Sequence, residues 1–129
     1  MHILHVTPYY RPAYAFGGVV RAVEGMATSL VARGHDVTIL TTDALDQTSR
    51  ISSTEDIHDG VRVIRCPNVS PALRGKLNLS TPRNMRNIAQ SLMPSVDIVH
   101  IHEFRTVENL LVTPVAYDYN KPIVLSPHG

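Results

Sequence analysis

A single cysteine, no tryptophan and only two phenylalanines leave this 129-residue chain with few of the usual chemical handles. One thiol, Cys66, excludes an internal disulfide and fits a reducing compartment. Lys and Arg number 12 against 11 Asp and Glu, a formal net charge of +1, so neither nucleic acid nor an anionic membrane is favoured as a partner. No apolar run approaches the roughly 20 residues that cross a bilayer, and Met1 to Thr7 is too short and too mixed for a signal peptide. These absences predict a cytoplasmic protein. The dinucleotide fingerprint GxGxxG is missing, and so is the Walker pattern, which disfavours an NTP hydrolase. No HExxH and no Asp-x-Asp occurs, so the common protease-type metal site and a metal–diphosphate site lack support. Cys66 stands before Pro67 with no base near it in sequence, and no serine or cysteine nucleophile stands out.

What is there is an alternation of β-branched runs and helical patterns, in a length that fits one domain. The runs are His2–Thr7, Asp36–Thr42, Val61–Cys66, Val96–Ile101 and Pro122–Ser126. Three of them show little strict alternation, as strands covered on both faces do. After Gly18, Val19, Val23, Met26, Ala27, Leu30 and Val31 keep to one helical face, and Gly34 stands where a left-handed C-terminal residue is wanted. Gly25 inside that helix is read as a close approach of helix to sheet. Asp59-Gly60 predicts a tight turn pairing Glu55–His58 with Val61–Cys66. Residues 67–80 read as a loop. Thr81-Pro82 then supply N-cap and N1 chemistry to a helix with Met85, Ile88, Ala89 and Leu92 inward and Pro94 as its stop. Thr106 caps a last helix with Val107, Leu110, Leu111 and Val115 inward, kinked or shortened by Pro114. Right-handed crossovers turn this order into an open, doubly wound parallel α/β sheet.

In such a sheet ligands bind beyond the carboxyl ends of the strands. Gly17-Gly18 follow the first strand and open the first helix, where bare N–H groups and the macrodipole favour an anion; structural turn glycines are the equal alternative. Tyr9, Tyr10, Tyr14 and Phe16 crowd the same loop, either folded over the core or stacking on a sugar or base. His100 and His102 alternate onto one face at the end of the fourth strand. As metal ligands they are an incomplete set, with only distant histidines to add. His100 reads as packed beside the sheet and His102 as a polar contact at the rim. His128 follows the last strand at the same rim. Paired acids such as Asp43/Asp46 and Asp56/Asp59 sit in turns, where solvated carboxylates are the default.

The stretch HILHVTPYYRPAYAFGGVVRAVEGMATSLVARGHDVTILTTD resembles the opening of the family-4 glycosyltransferases with the GT-B fold. DGVRVIRCP, VDIVHIHEFRTVEN and KPIVLSPHG follow in that family's order and spacing. The resemblance implies a Rossmann-like, acceptor-side N-terminal domain over residues 1–129, incomplete at its end, of a retaining transferase. Such an enzyme moves a sugar from a nucleotide-sugar donor to an acceptor with no cofactor and no catalytic metal. By the resemblance Gly17 and Gly18 lie by the donor diphosphate and His128 contacts the transferred sugar. His102 borders the cleft, and Tyr9, Tyr10, Arg11 and Arg105 line its acceptor side. The family's C-terminal domain, with its basic pair and spaced glutamates, has no counterpart in these residues, so the resemblance predicts that they transfer no sugar alone. It also leaves room for peripheral membrane association of the full enzyme, and the edge at Ile123–Leu125 predicts self-association or pairing with another chain. The competing reading is a non-catalytic binding or assembly module on the same fold.

Overall fold

The β-branched runs pair into one six-stranded sheet. The structure, a computed structural model, describes residues 1–45, 49–68, 84–102 and 106–126, apart from the Phe16 side chain. In chain order the elements are β1 (His2–Val6), α1 (Gly18–Ala32), β2 (Asp36–Thr42), β3 (Glu55–His58), β4 (Val61–Cys66), α2 (Met85–Leu92), β5 (Ile98–His102), α3 (Val107–Asp118) and β6 (Ile123–Ser126). Short 3-10 turns occupy Tyr14–Phe16 and Met93–Ser95. Across the sheet the order is β3-β4-β2-β1-β5-β6, and every pairing is parallel except β3 with β4. The chain moves outward from β1 to β2 and β4, then returns to lay β5 and β6 on the other side of β1. That reversal makes β1/β5 the switch point of a doubly wound sheet.

Alternation along the strands divides the core in two. Leu4, Val6, Leu40, Ile64, Val99 and Ile101 face α2 and α3, which contribute Met85, Ala89, Leu92, Val112, Val115 and Ala116. Val37, Ile39, Val61 and Val63 face α1, which contributes Val23 and Ala27. Val20 is also buried, while Val19, Leu30 and Val31 pack at the margin and Met26 is half-buried. The β3–β4 turn forms on Asp59-Gly60 as predicted, with φ of +50° and +79°. Gly34, with φ of +90°, ends α1 as predicted.

Four expectations are corrected. The fourth run starts as a strand at Ile98, because Pro94 lies in the 3-10 turn and Val96 closes it. α3 starts at the Thr106 cap, whose side chain accepts from the Asn109 N–H; of its expected inward residues Val115 is buried and Leu111 packs at the core margin, but the buried face is Glu108, Val112, Val115 and Ala116. Leu110 is 75 % exposed. Of the two outcomes expected for Pro114, a kink or a shortened helix, the second does not occur: the helix runs on to Asp118, and the carbonyl Pro114 leaves unpaired, that of Leu110, belongs to the solvent face. Gly25 makes no close approach either; it is exposed, and a Cβ there would meet nothing within 4 Å. The expected capping pair Thr81-Pro82 lies outside the described residues, where α2 is described from Met85 after a left-handed Asn84. Both strands at the ends of the described sheet are short, at 4 residues each.

Two glycines therefore separate by experiment. Gly25→Ala is expected to raise stability by about 1 kcal/mol, since it removes a helix-interior glycine at an open site. Gly60→Ala is expected to lower it by about 1–2 kcal/mol for the left-handed φ alone. A Cβ there also comes within 2.7 Å of Val31 Cγ1, which adds to the loss. Urea unfolding midpoints of the two variants should move in opposite directions.

Candidate functional site

The first loop is held down before it reaches its glycines. The Thr7 N–H still donates to Leu40 O at 3.2 Å, extending the β1–β2 pairing by one bond. Thr42 Oγ1 donates to Pro8 O at 2.7 Å, and Thr7 Oγ1 to Tyr9 O at 3.2 Å. Tyr10 turns inward, 1 % exposed, among the α1-side core residues. Arg65 reaches across from β4: its Nη2 donates to Arg11 O at 2.9 Å while Nη1 pairs with Asp56 on β3. The Arg65 hydrogen bond, with help from Ser53, holds the Asp56 carboxyl below the usual carboxylate range. A cleft of about 320 Å³ lies between the loop and the hairpin, walled by Tyr10, Arg11, Pro12, Ile57, His58 and Arg65.

Past the cleft the chain makes its 3-10 turn and enters α1. Tyr14 Oη donates to Glu24 at 2.6 Å, and the Arg21 guanidinium lies 4.4 Å from the centre of its ring. Gly17 has φ of +100°, a conformation that L side chains rarely adopt. Among the described residues no side chain caps the N-terminus of α1, and its first turn holds no acidic residue. Gly17 and Gly18 are both exposed with open space around them. Among the described residues the leading N–H groups of α1 thus have neither an intrahelical partner nor a capping side chain.

At the switch point the strands bring three histidines together. His5 and His100 are opposite each other in the β1–β5 register, and His102 lies two residues further on the same face. Their ring centroids are 5.0, 5.1 and 4.1 Å apart, and His5 Nδ1 lies 2.8 Å from His102 Nε2. His5 and His102 are fully buried; His100 is half-buried and its Nε2 lies 2.7 Å from Ser126 Oγ on β6. Burial first, then the neighbouring His100, push His5 down to about 4, so it is a neutral imidazole at physiological pH.

The predicted residues fall in different places. Gly17 and Gly18 stand where expected, at the start of α1. Tyr9 is half-buried, and Arg11 lines the cleft. Tyr10 is a core residue whose ring forms a wall of that cleft, so of the two readings of the aromatic loop it takes the one folded over the core. His102 ends β5 and is fully buried. Arg105 and His128 lie outside the described residues. Three participants escaped sequence reasoning: His5, Arg65 and Asp56. His5 alternates with Leu4 and Val6, but its partners are 95 and 97 residues away, and only the order of strands brings them together. The β3–β4 pairing carries the signal for Arg65 and Asp56, since Asp56 registers with Val63, two residues before Arg65.

Comparison with known proteins adds a family. A family model described as "Glycosyl transferase 4-like domain" matches residues 17–129. No curated protein matches the chain. Among solved structures, the C-terminal domain of a hydrogenase from Pyrococcus furiosus is similar with a TM-score of 0.62 and 18 % identity, over 97 % of this chain and 89 % of that one. Sucrose-phosphate synthase from Thermosynechococcus elongatus is similar with a TM-score of 0.55 and 15 % identity, over 99 % of this chain and 33 % of that one. The chain therefore spans about a third of the length of that synthase. Both likenesses are likenesses of fold.

Cys66 is the chain's one thiol and sits fully buried in the core on the α2–α3 side. Burial pushes it up to about 12, and the nearby Glu108 and Asp43 add to the shift. It is expected to resist a thiol reagent at pH 8 in the folded protein and to react at once in urea. Titration with a chromogenic disulfide before and after unfolding checks this.

Proposed function

From the chain's membership of the glycosyl transferase 4-like domain family, we propose that it forms the acceptor-side half of a sugar-transfer cleft in a retaining enzyme that uses a nucleotide-sugar donor. The observation that carries the reading is the uncapped start of α1 at Gly17-Gly18, at the carboxyl end of β1 and next to the switch point. Sugar transfer leaves negative charge on the departing diphosphate. Unsatisfied N–H groups and the positive end of the α1 dipole stabilise that charge, and they need no reorganisation as it develops. A side chain at either glycine would stand between those donors and an approaching phosphate. In this reading the cleft beside Arg11 takes the acceptor, His128 contacts the transferred sugar by resemblance, and His102 acts beneath the rim by positioning its neighbours. The domain requires no metal and no cofactor for the transfer step. The diphosphate's nucleotide is held by a second Rossmann-like unit, so the 129 residues alone transfer no sugar.

Gly18→Asp separates this role from a structural one. An acid in the first turn of α1 favours the helix dipole by about 0.3–1 kcal/mol, so melting is expected to stay or rise. The same carboxylate repels a diphosphate, and transfer by the intact protein, assayed with a panel of radiolabelled nucleotide sugars, is expected to fall at least about 100-fold. Gly18→Ala, with open space for its methyl, serves as the milder companion. Transfer by Gly18→Asp at the wild-type rate overturns the assignment. Turnover by the 129 residues alone overturns the two-unit reading, and a coding sequence without a second unit favours a binding module.

β6 carries a second proposal. It ends the described sheet, and Val124 and Leu125 are 42 % and 43 % exposed on its opposite faces. Such an edge recruits a strand, and a second copy of this chain is the partner proposed. Light scattering at rising concentration is expected to show dimer; a strictly monomeric species contradicts it.

A further inference from the structure

The histidine cluster is not used by the reading above. His5 lies under the sheet surface and His102 beneath the rim, yet the two are in hydrogen-bonding contact with His100 stacked alongside. Aliphatic side chains would fill the same volume of a parallel sheet without bringing ring nitrogens into it. One ring nitrogen from each of the three histidines lies within 4.8 Å of the other two. The sequence alone showed two histidines and no third; the β1–β5 register supplies it.

We propose that His5, His100 and His102 bind one divalent ion of the imidazole-seeking class, zinc(II) above all, with three protein nitrogens and one water. The donor set selects the ion. Neutral imidazoles suit zinc, copper and nickel, whereas calcium and magnesium want oxygen ligands, and among the described residues the cluster holds no carboxylate. Three histidines with an open position are a known zinc arrangement. A metal lies in the plane of each imidazole that binds it, and the three ring planes are only 21–34° apart, so the rings must turn about their side-chain bonds as well as separate. Nitrogens bound to tetrahedral zinc at about 2.0–2.1 Å sit about 3.3 Å apart, so the 2.8 Å His5–His102 contact opens by about half an ångström. Its shared hydrogen moves to the donor's other ring nitrogen, and the rings stay neutral. Ser126 holds the Nε2 of His100 and so fixes which nitrogen that ring presents, as outer partners of metal-bound histidines do. His100 is half-buried and provides the side from which the ion enters.

Bound there, the ion staples β1 to β5 and, through Ser126, steadies β6. It takes no part in sugar transfer, and the proposal stands whether or not the chain belongs to a transferase cleft. The test uses the 129-residue chain stripped with a chelator. Cobalt(II), a zinc stand-in with visible absorption, is expected to give the spectrum of a four-coordinate site saturating at one equivalent. Zinc should bleach that spectrum and raise the melting temperature. His100→Gln, at the half-buried position, is expected to abolish the spectrum, and Ser126→Ala to weaken zinc binding about tenfold. His58→Gln, removing a surface histidine paired with Asp59 at 3.1 Å, should leave both readouts unchanged. Should His5→Gln or His102→Gln fail to fold, the wild-type spectrum and His100→Gln still decide. No cobalt spectrum in the wild-type protein, a spectrum indifferent to His100→Gln, or one lost in His58→Gln overturns the proposal.

Discussion

The hydrogen bonding of β1 on both its edges is the constraint from which the rest of the domain follows. β1 registers with β2 from His2↔Asp36 to Val6↔Leu40 and with β5 from Ile3↔Ile98 to Val6↔Ile101. A strand paired in parallel on both sides has neither edge nor face in water, so helices must cover both faces. α1 covers one and α2 with α3 the other. Reversal of winding direction at β1 then leaves a crevice beyond its carboxyl end. The loop leaving β1 starts from that end, and β5, its neighbour in the sheet, runs the same way and ends beside it.

Much of this was legible because punctuation and period agreed. The Asp59-Gly60 turn, the Gly34 stop and the Thr106 cap each demand a particular backbone, and each forms as read. Periodicity failed where a polar residue sat inside. α3 carries Glu108 on its inward face, fully buried, so the apolar stripe drawn through Leu110 was rotated away from the true one. The site was half legible. Gly17 and Gly18 announce themselves locally, whereas His5 and Arg65 act through partners on other strands, and a chain without an alignment does not reveal which strands adjoin. Tyr10 shows the opposite limit: its place in an aromatic loop suggested a ligand platform, and the α1-side core took its ring instead.

Arg65 links the two regions of the candidate cleft. Nearly all of its guanidinium is out of water, yet its charge meets Asp56 and its second nitrogen meets the Arg11 carbonyl. A buried charge is tolerated when paired and hydrogen-bonded in this way. The β3–β4 hairpin and the first loop are therefore one mechanical unit, and a ligand that shifts Arg11 also presses on β3.

The β1–β5 seam also sets an order of events in time. Of the strands described here, β1 is made before the others, but its partner on one side is β2 and on the other is β5, which begins at Ile98. Until about three-quarters of these residues have been made, His5 and the rest of that edge have nothing to pair with. Closing a loop of this length before any contact rewards it makes the seam a late and slow step of folding. The nascent chain consequently passes through a stage in which β1, β2 and β4 can associate while one edge of β1 stays open, the stage at which a growing chain is most exposed to the wrong partner.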